Sequence, residues 1–206
     1  MKAIPPRKSK RLLIGEDNPL DFIGWAFDRE MQPWMKMDYS RPIVHIGPGI
    51  KSMEGETHVL DYPQYDFDGV VTIRDTRREG VNREITVLSG KDLMPFKDNS
   101  VGGIVAVCVL EHLYDISWII REAGRVLAPG CPFNIFVPHP ESVMHYEDAD
   151  HKSRQVLDSW ENLLNNPYYG ETKGKNGIPL RVGFNMKVAL KEENTAVCTQ
   201  LIKEGK

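Results

Sequence analysis

The stretch Leu93–Gly130, LMPFKDNSVGGIVAVCVLEHLYDISWIIREAGRVLAPG, decides how this chain folds. After the turn-rich Pro95 to Ser100, residues 102–109 form an apolar run of strand length. From Asp115 to Leu127 the period changes. Ile116, Ile119, Ile120, Ala123 and Val126-Leu127 recur at three- and four-residue spacing, which predicts a helix with one apolar stripe. Pro129-Gly130 ends it.

Working upstream, Pro42–Asp61 reads PIVHIGPGIKSMEGETHVLD. The apolar run Ile43, Val44, Ile46 breaks at Gly47-Pro48-Gly49, and a second apolar pair, Val59-Leu60, ends on Asp61. A strand feeding a glycine turn, then a strand ending in a carboxylate, is a nucleoside grip. Glycine lets the backbone approach a ligand, and the carboxylate can accept hydrogen bonds from ribose hydroxyls. Strands are expected at 43–46, 57–61, 85–89, 102–109 and 132–137, and Val70–Ile73 is open as a further short one. Downstream come a polar segment from His139, an amphipathic stretch from Val156 to Leu164 and a loop over 166–179. A hairpin then pairs Leu180–Leu190 with Thr195–Lys203 across Lys191-Glu192-Glu193-Asn194. Alternating strands and helices with a terminal hairpin imply a mostly parallel sheet with an antiparallel edge.

The bulk properties narrow the function classes. A chain of 206 residues with 41% hydrophobic and 27% charged side chains suits one soluble domain. A net charge of −3 argues against a nucleic-acid-coating surface. The cationic start (Lys2, Arg7, Lys8, Lys10, Arg11) reads first as a solvated tail. No apolar stretch is long enough to span a bilayer. Cys108, Cys131 and Cys198 lie in or beside apolar runs and fit no zinc spacing, which favours buried thiols in the reducing cytoplasm. Phe22, Trp25, Phe27, Met31 and Trp34 suggest a short helix stopped near Pro33, serving as core or the underside of a lid.

Four signals follow one another along the chain: the glycine turn at 47–49, Leu93-Met94-Pro95-Phe96-Lys97-Asp98-Asn99-Ser100, Leu110-Glu111-His112-Leu113, and Arg125-Val126-Leu127-Ala128-Pro129-Gly130. This order resembles the class I S-adenosylmethionine-dependent methyltransferases of the type 11 kind, over residues 43 to 138, with the hairpin as the family's last two strands. The resemblance implies an α/β fold: a Rossmann-like, mostly parallel seven-stranded sheet with a C-terminal antiparallel hairpin and helices on both faces. It implies one domain over 1–206, with 1–40 as leader or lid, 139–179 as acceptor-side insertion and 180–203 as the hairpin. A dinucleotide site would need a longer crossover than the eleven residues between Gly49 and Asp61, and a third glycine where Ser52 stands.

The resemblance further implies S-adenosylmethionine as cofactor and a methyl acceptor that is a small molecule. Gly47 and Gly49 would form the turn against the cofactor, Asp61 would hold the ribose, and Asp92, Leu93 and Met94 would surround the adenine. Val107 and Leu110 would lie beneath the methionine portion. His112, beside the cleft, and His139, bordering the acceptor pocket, are the candidate bases. The chain also departs from the family. His45, in the cofactor-binding strand, replaces an acidic residue, Lys51 a glycine, Gly90 another acid, and Val101-Gly102 the usual Phe-Asp. These departures motivate an alternative, a degenerate methyltransferase fold acting as a non-catalytic scaffold. Glu111 reads as local support. His139, His145, Asp148, Asp150 and His151 are dense, but no pair has a rigid zinc-motif spacing, and no metal site is assigned. Nucleic-acid methylation rests on the basic tail alone.

Overall fold

Ile43–Ile46 forms β1, and all four residues are buried, as expected of a short strand at the centre of a parallel sheet. In the computed structural model, residues 36–47, 55–61, 69–74, 82–89, 94–114, 116–165, 178–190 and 193–205 are described. The other strands are β2 (His58–Asp61), β3 (Gly69–Arg74), β4 (Asn82–Ser89), β5 (Gly103–Val107), β6 (Pro132–Pro138), β7 (Leu180–Leu190) and β8 (Glu193–Lys203). They make one sheet in the order β3-β4-β2-β1-β5-β6-β8-β7. The five strands from β4 to β6 are parallel, while β3, β8 and β7 each run antiparallel to their neighbours.

The sheet therefore has eight strands rather than seven. The addition is β3, whose Val70 faces Thr86 and whose Ile73 faces Arg83 on β4. In sequence this stretch is open as a further short strand, and pairing with β4 makes it one. Of the helices expected on both faces, three are described: α1 (Ser117–Val126), α2 (Val143–Glu147) and α3 (Leu157–Asn165). The short helix expected to stop near Pro33 lies outside the described residues, as do Trp25 and Trp34. At five residues, α2 is shorter than periodicity can reveal, so its segment reads as a polar loop in sequence. No helix among the described residues is long and apolar enough to cross a membrane.

Helix α1 starts two residues later than expected and buries Ile119, Ile120, Ala123 and Val126 against the sheet. Phe133 and Ile135 of β6 and Trp160 of α3 join the same core, each fully buried. The last carbonyls of α1 have no partners within the helix and are met by the loop that enters β5. Asn99 N–H donates to Arg125 O at 3.0 Å, and the Ser100 and Val101 N–H groups donate to Val126 O at 2.8 and 2.9 Å. Gly102, where the resemblance implies Asp, has a steric cause. A Cβ there would stand 2.0 Å from the Asp38 carbonyl oxygen, because Asp38 N–H donates to Gly102 O.

The same loop is clamped from the side by two charged residues of α1. Glu122 accepts the Met94 N–H at 2.9 Å and two Arg125 N–H groups at 2.8 and 2.7 Å. Arg125 in turn donates to the Met94 and Phe96 carbonyls, at 2.9 and 2.8 Å, and to Asp98 at 2.9 Å. A planar fork of N–H donors suits this multiple role. The Arg125 hydrogen bonds hold the Glu122 carboxyl below the ordinary carboxylate range, outweighing its partial burial.

Two outcomes follow from this packing. Phe133→Ala, which removes a ring from the centre of the sheet, should cost about 3–5 kcal/mol in urea unfolding. Glu122→Gln should cost about 1.5–3 kcal/mol near neutrality, the range of hydrogen bonds to charged groups. Because the folded pKa of Glu122 is depressed, its contribution is complete above the ordinary carboxylate value and lost as pH falls through the folded one. The gap between wild type and Glu122→Gln should therefore narrow in acid; an equal gap at both pH values would refute the charged clamp.

Candidate functional site

The chain runs outward from β1 to β2 and β4, then crosses back to place β5 on the other side of β1. The crevice at the carboxyl ends of β1 and β5 is thus a topological switch point, where open α/β sheets bind ligands. Two segments meet at it, the turn after β1 and the turn after β5, while the loop clamped by Glu122 and Arg125 leads into the other end of β5.

Gly47 opens the first turn with φ +57°, and its N–H donates to Leu60 O at 2.7 Å. A Cβ there would lie 2.3 Å from Val109 Cγ2, so the turn after β1 and the turn after β5 are in direct contact through this glycine. One residue before the end of β1, His45 is buried and its Nδ1 is 2.7 Å from Glu56 Oε2. Glu56, also buried, precedes β2. A carboxylate absent from position 45 thus reaches β1 from the segment that precedes β2.

Met94 is buried beside the clamp, with its backbone held at both N–H and carbonyl. Phe96 lies edge-on to His58, at 5.1 Å between ring centres. Gly49, Asp92 and Leu93 lie outside the described residues. Asp61 is the last residue of β2, in register with Ser89 of β4.

The expected strand 102–109 stops at Val107, because Cys108 turns into the left-handed region at φ +52°. A non-glycine residue in that region stores strain, and such residues gather at functional sites. Its N–H is satisfied by Phe136 O at 2.8 Å. Leu110–His112 then forms a single 3₁₀ turn, with Leu110 wholly buried.

That turn carries Glu111, only 1% exposed, and neither of its carboxylate oxygens has a hydrogen-bond partner of normal geometry among the described residues. Burial pushes its pKa up to about 8, against the opposing pull of its own backbone N–H and the Cys108 thiol. His112 is partly exposed, and its Nδ1 is 3.2 Å from Asp150 Oδ2. The segment after α2 is pinned to the turn. The Lys152 and Ser153 N–H groups donate to Glu111 O at 2.7 and 3.0 Å, and Ser153 Oγ donates to Leu110 O at 3.0 Å. This docking stacks His151 on His145 and sets it edge-on to His112, with ring centres 5.2 and 4.8 Å apart.

His139 follows β6 and is buried, its Nδ1 accepting the Glu141 N–H at 3.1 Å. Of the dense group read in sequence, then, His145, Asp148, Asp150 and His151 gather around Glu111 and His112, whereas the described contacts of His139 are local. Glu56 and the buried carboxylate of Glu111 escape sequence reasoning. Each faces a histidine distant along the chain, and no local spacing announces the pairing.

The comparisons with known proteins agree with this architecture. The family model described as "Methyltransferase domain" matches residues 14–134. No curated protein sequence matches the chain. Among solved structures, one from Aquifex aeolicus, an S-adenosylmethionine-dependent methyltransferase, superposes with a TM-score of 0.59 at 14% identity, covering 91% of this chain and 94% of that one. Another from Archaeoglobus fulgidus, of the same description, gives a TM-score of 0.55 at 14% identity, covering 89% and 94%. A chain of the Haloferax volcanii complex between the Trm112 methyltransferase activator and a methyltransferase gives 0.60 at 15% identity, covering 90% and 95%. With a family match across more than half its length and this sheet order, the chain belongs to the S-adenosylmethionine-dependent methyltransferase-domain family.

Proposed function

We propose that this chain, folded as one domain, transfers a methyl group from S-adenosylmethionine to an oxygen or nitrogen of a small-molecule acceptor. The observation that carries the reading is the switch point between β1 and β5, where the left-handed turn at Gly47 meets the strained turn at Cys108. The residues there suit a nucleoside bearing a charged amino acid. Gly47 offers a backbone turn without a side chain, Met94 an apolar wall, and the His45–Glu56 pair a polar anchor where the family carries an acid. Asp61 is the proposed ribose acceptor, with Gly49, Asp92 and Leu93 completing the turn and the adenine side, and Val107 and Leu110 the floor.

The cofactor supplies a methyl on a sulfonium whose departing thioether is neutral. The chain's own work is to orient the acceptor, exclude water and take a proton. His112 after β5 and His139 after β6 are the proposed bases, both beyond the carboxyl ends of their strands. The segment 139–179 is the proposed acceptor side. A reducing, cytoplasmic setting is the one proposed, and it suits three thiols of which Cys131 and Cys198 are buried.

Calorimetry with S-adenosylmethionine and S-adenosylhomocysteine tests the reading. Asp61→Ala should weaken binding at least tenfold, about 1.4 kcal/mol. Gly47→Ala should weaken it too, by forcing apart the turns after β1 and β5. No heat and no thermal shift with either ligand would sink the proposal. Binding without tritium transfer into a metabolite extract would favour the scaffold instead.

A further inference from the structure

Glu111, His112 and His151 come together from two segments thirty-nine residues apart, and each offers one ligating atom within 4.8 Å of the others. We propose that these three side chains form a binding site for one divalent first-row transition ion, of the two-histidine, one-carboxylate type with open coordination positions.

Three observations support it independently of any methyl donor. First, the Glu111 carboxylate is buried with no hydrogen-bond partner of normal geometry among the described residues beyond the weak pull of the Cys108 thiol and its own N–H, and His151 Nε2 stands 3.9 Å from Oε1. A buried carboxylate needs a partner, and a cation between it and two imidazoles supplies one. Second, each histidine is braced on Nδ1: His151 lies 3.0 Å from the His145 carbonyl, and His112 lies 3.2 Å from the Asp150 carboxylate. Acceptors there hold the proton on Nδ1 and leave Nε2 with its lone pair, the arrangement that orients metal-bound histidines. Third, the spacing is nearly closed. Ligands about 2.0–2.1 Å from a tetrahedral ion stand about 3.4 Å apart, so contraction by an ångström or so completes the site. Asp148, whose Oδ2 is 3.8 Å from His151 Nε2, is the nearby candidate for a fourth ligand.

The ligand set selects the ion. Imidazole nitrogen with one carboxylate suits Zn²⁺, Fe²⁺ or Co²⁺ better than Ca²⁺ or Mg²⁺, which prefer all-oxygen shells. With both ring nitrogens engaged, a metal-bound His112 has no lone pair for a proton. If the proposed methyl transfer needs a histidine base, that role then falls to His139.

The full chain, stripped with chelator, is titrated with Zn²⁺ against a chromophoric chelator and with Co²⁺ by its visible d–d absorption. One ion should bind per chain, and Zn²⁺ should raise the thermal midpoint. Glu111→Gln and His151→Asn should each weaken binding at least tenfold and abolish the shift. Asp150→Asn, which disturbs the brace on His112 and the ion pair with Lys152 but removes no ligand, should weaken binding less. Because Glu111 and His151 are buried, His112→Asn decides the matter if those variants fold poorly: its side chain is 31% exposed, and it should lose the ion while melting normally in chelator. Absence of stoichiometric binding, or binding unchanged in His112→Asn, would overturn the site. Neither result depends on whether S-adenosylmethionine binds.

Discussion

The carboxylate of Glu122, turned in from α1 and gripped by Arg125, holds the loop before β5 against the helix that follows β5. The entry of the chain into β5, the strand that forms one side of the switch point, builds on this clamp. It fixes the Met94 backbone at both ends and leads Asn99, Ser100 and Val101 to the exposed carbonyls at the end of α1. Val101 then pairs beside Leu127, so the entry to β5 and the exit from α1 are one hydrogen-bonded unit. A charged pair is economical here because the loop has no ladder of its own and its carbonyls need donors. Two of the motifs in the sequence, Leu93–Ser100 and Arg125–Gly130, are thus one physical object.

The opposite end of β5 is organised by shape rather than charge. Gly47 admits Val109 where any side chain would exclude it, and Cys108 takes a left-handed turn to release the chain from the sheet. The two turns meet at the point where strand order reverses. Strain and close approach are concentrated there, and the structure compensates with a well-satisfied backbone around them. Beyond Cys108, docking of residues 151–153 onto the 3₁₀ turn brings three histidines and a buried carboxylate together.

Much of the fold is legible along the chain. The apolar runs at 43–46 and 132–137 and the stripe of α1 follow from the burial of a continuous run or face, and the terminal hairpin from two strand-like runs on either side of a polar turn. The illegible parts have physical causes. β3 depends on an edge partner, α2 is too short for a period, and the strand after Gly103 ends early because of a dihedral rather than a residue type. The departures from family pattern are legible as departures, but not in their meaning. His45 finds its acid in Glu56, and Gly102 makes room for the Asp38 carbonyl.

By itself, the sequence determined the alternation of strand and helix, the glycine turn after β1 and the family, because these reside in local spacing and in the order of motifs along the chain. Only the tertiary structure decided which charges meet. Glu56 with His45, Glu122 and Arg125 with the loop at 94–98, and Glu111 with His112 and His151 each join segments that touch only when the sheet is assembled. Burial then makes those meetings consequential, since a charge removed from water must find its partner in the fold.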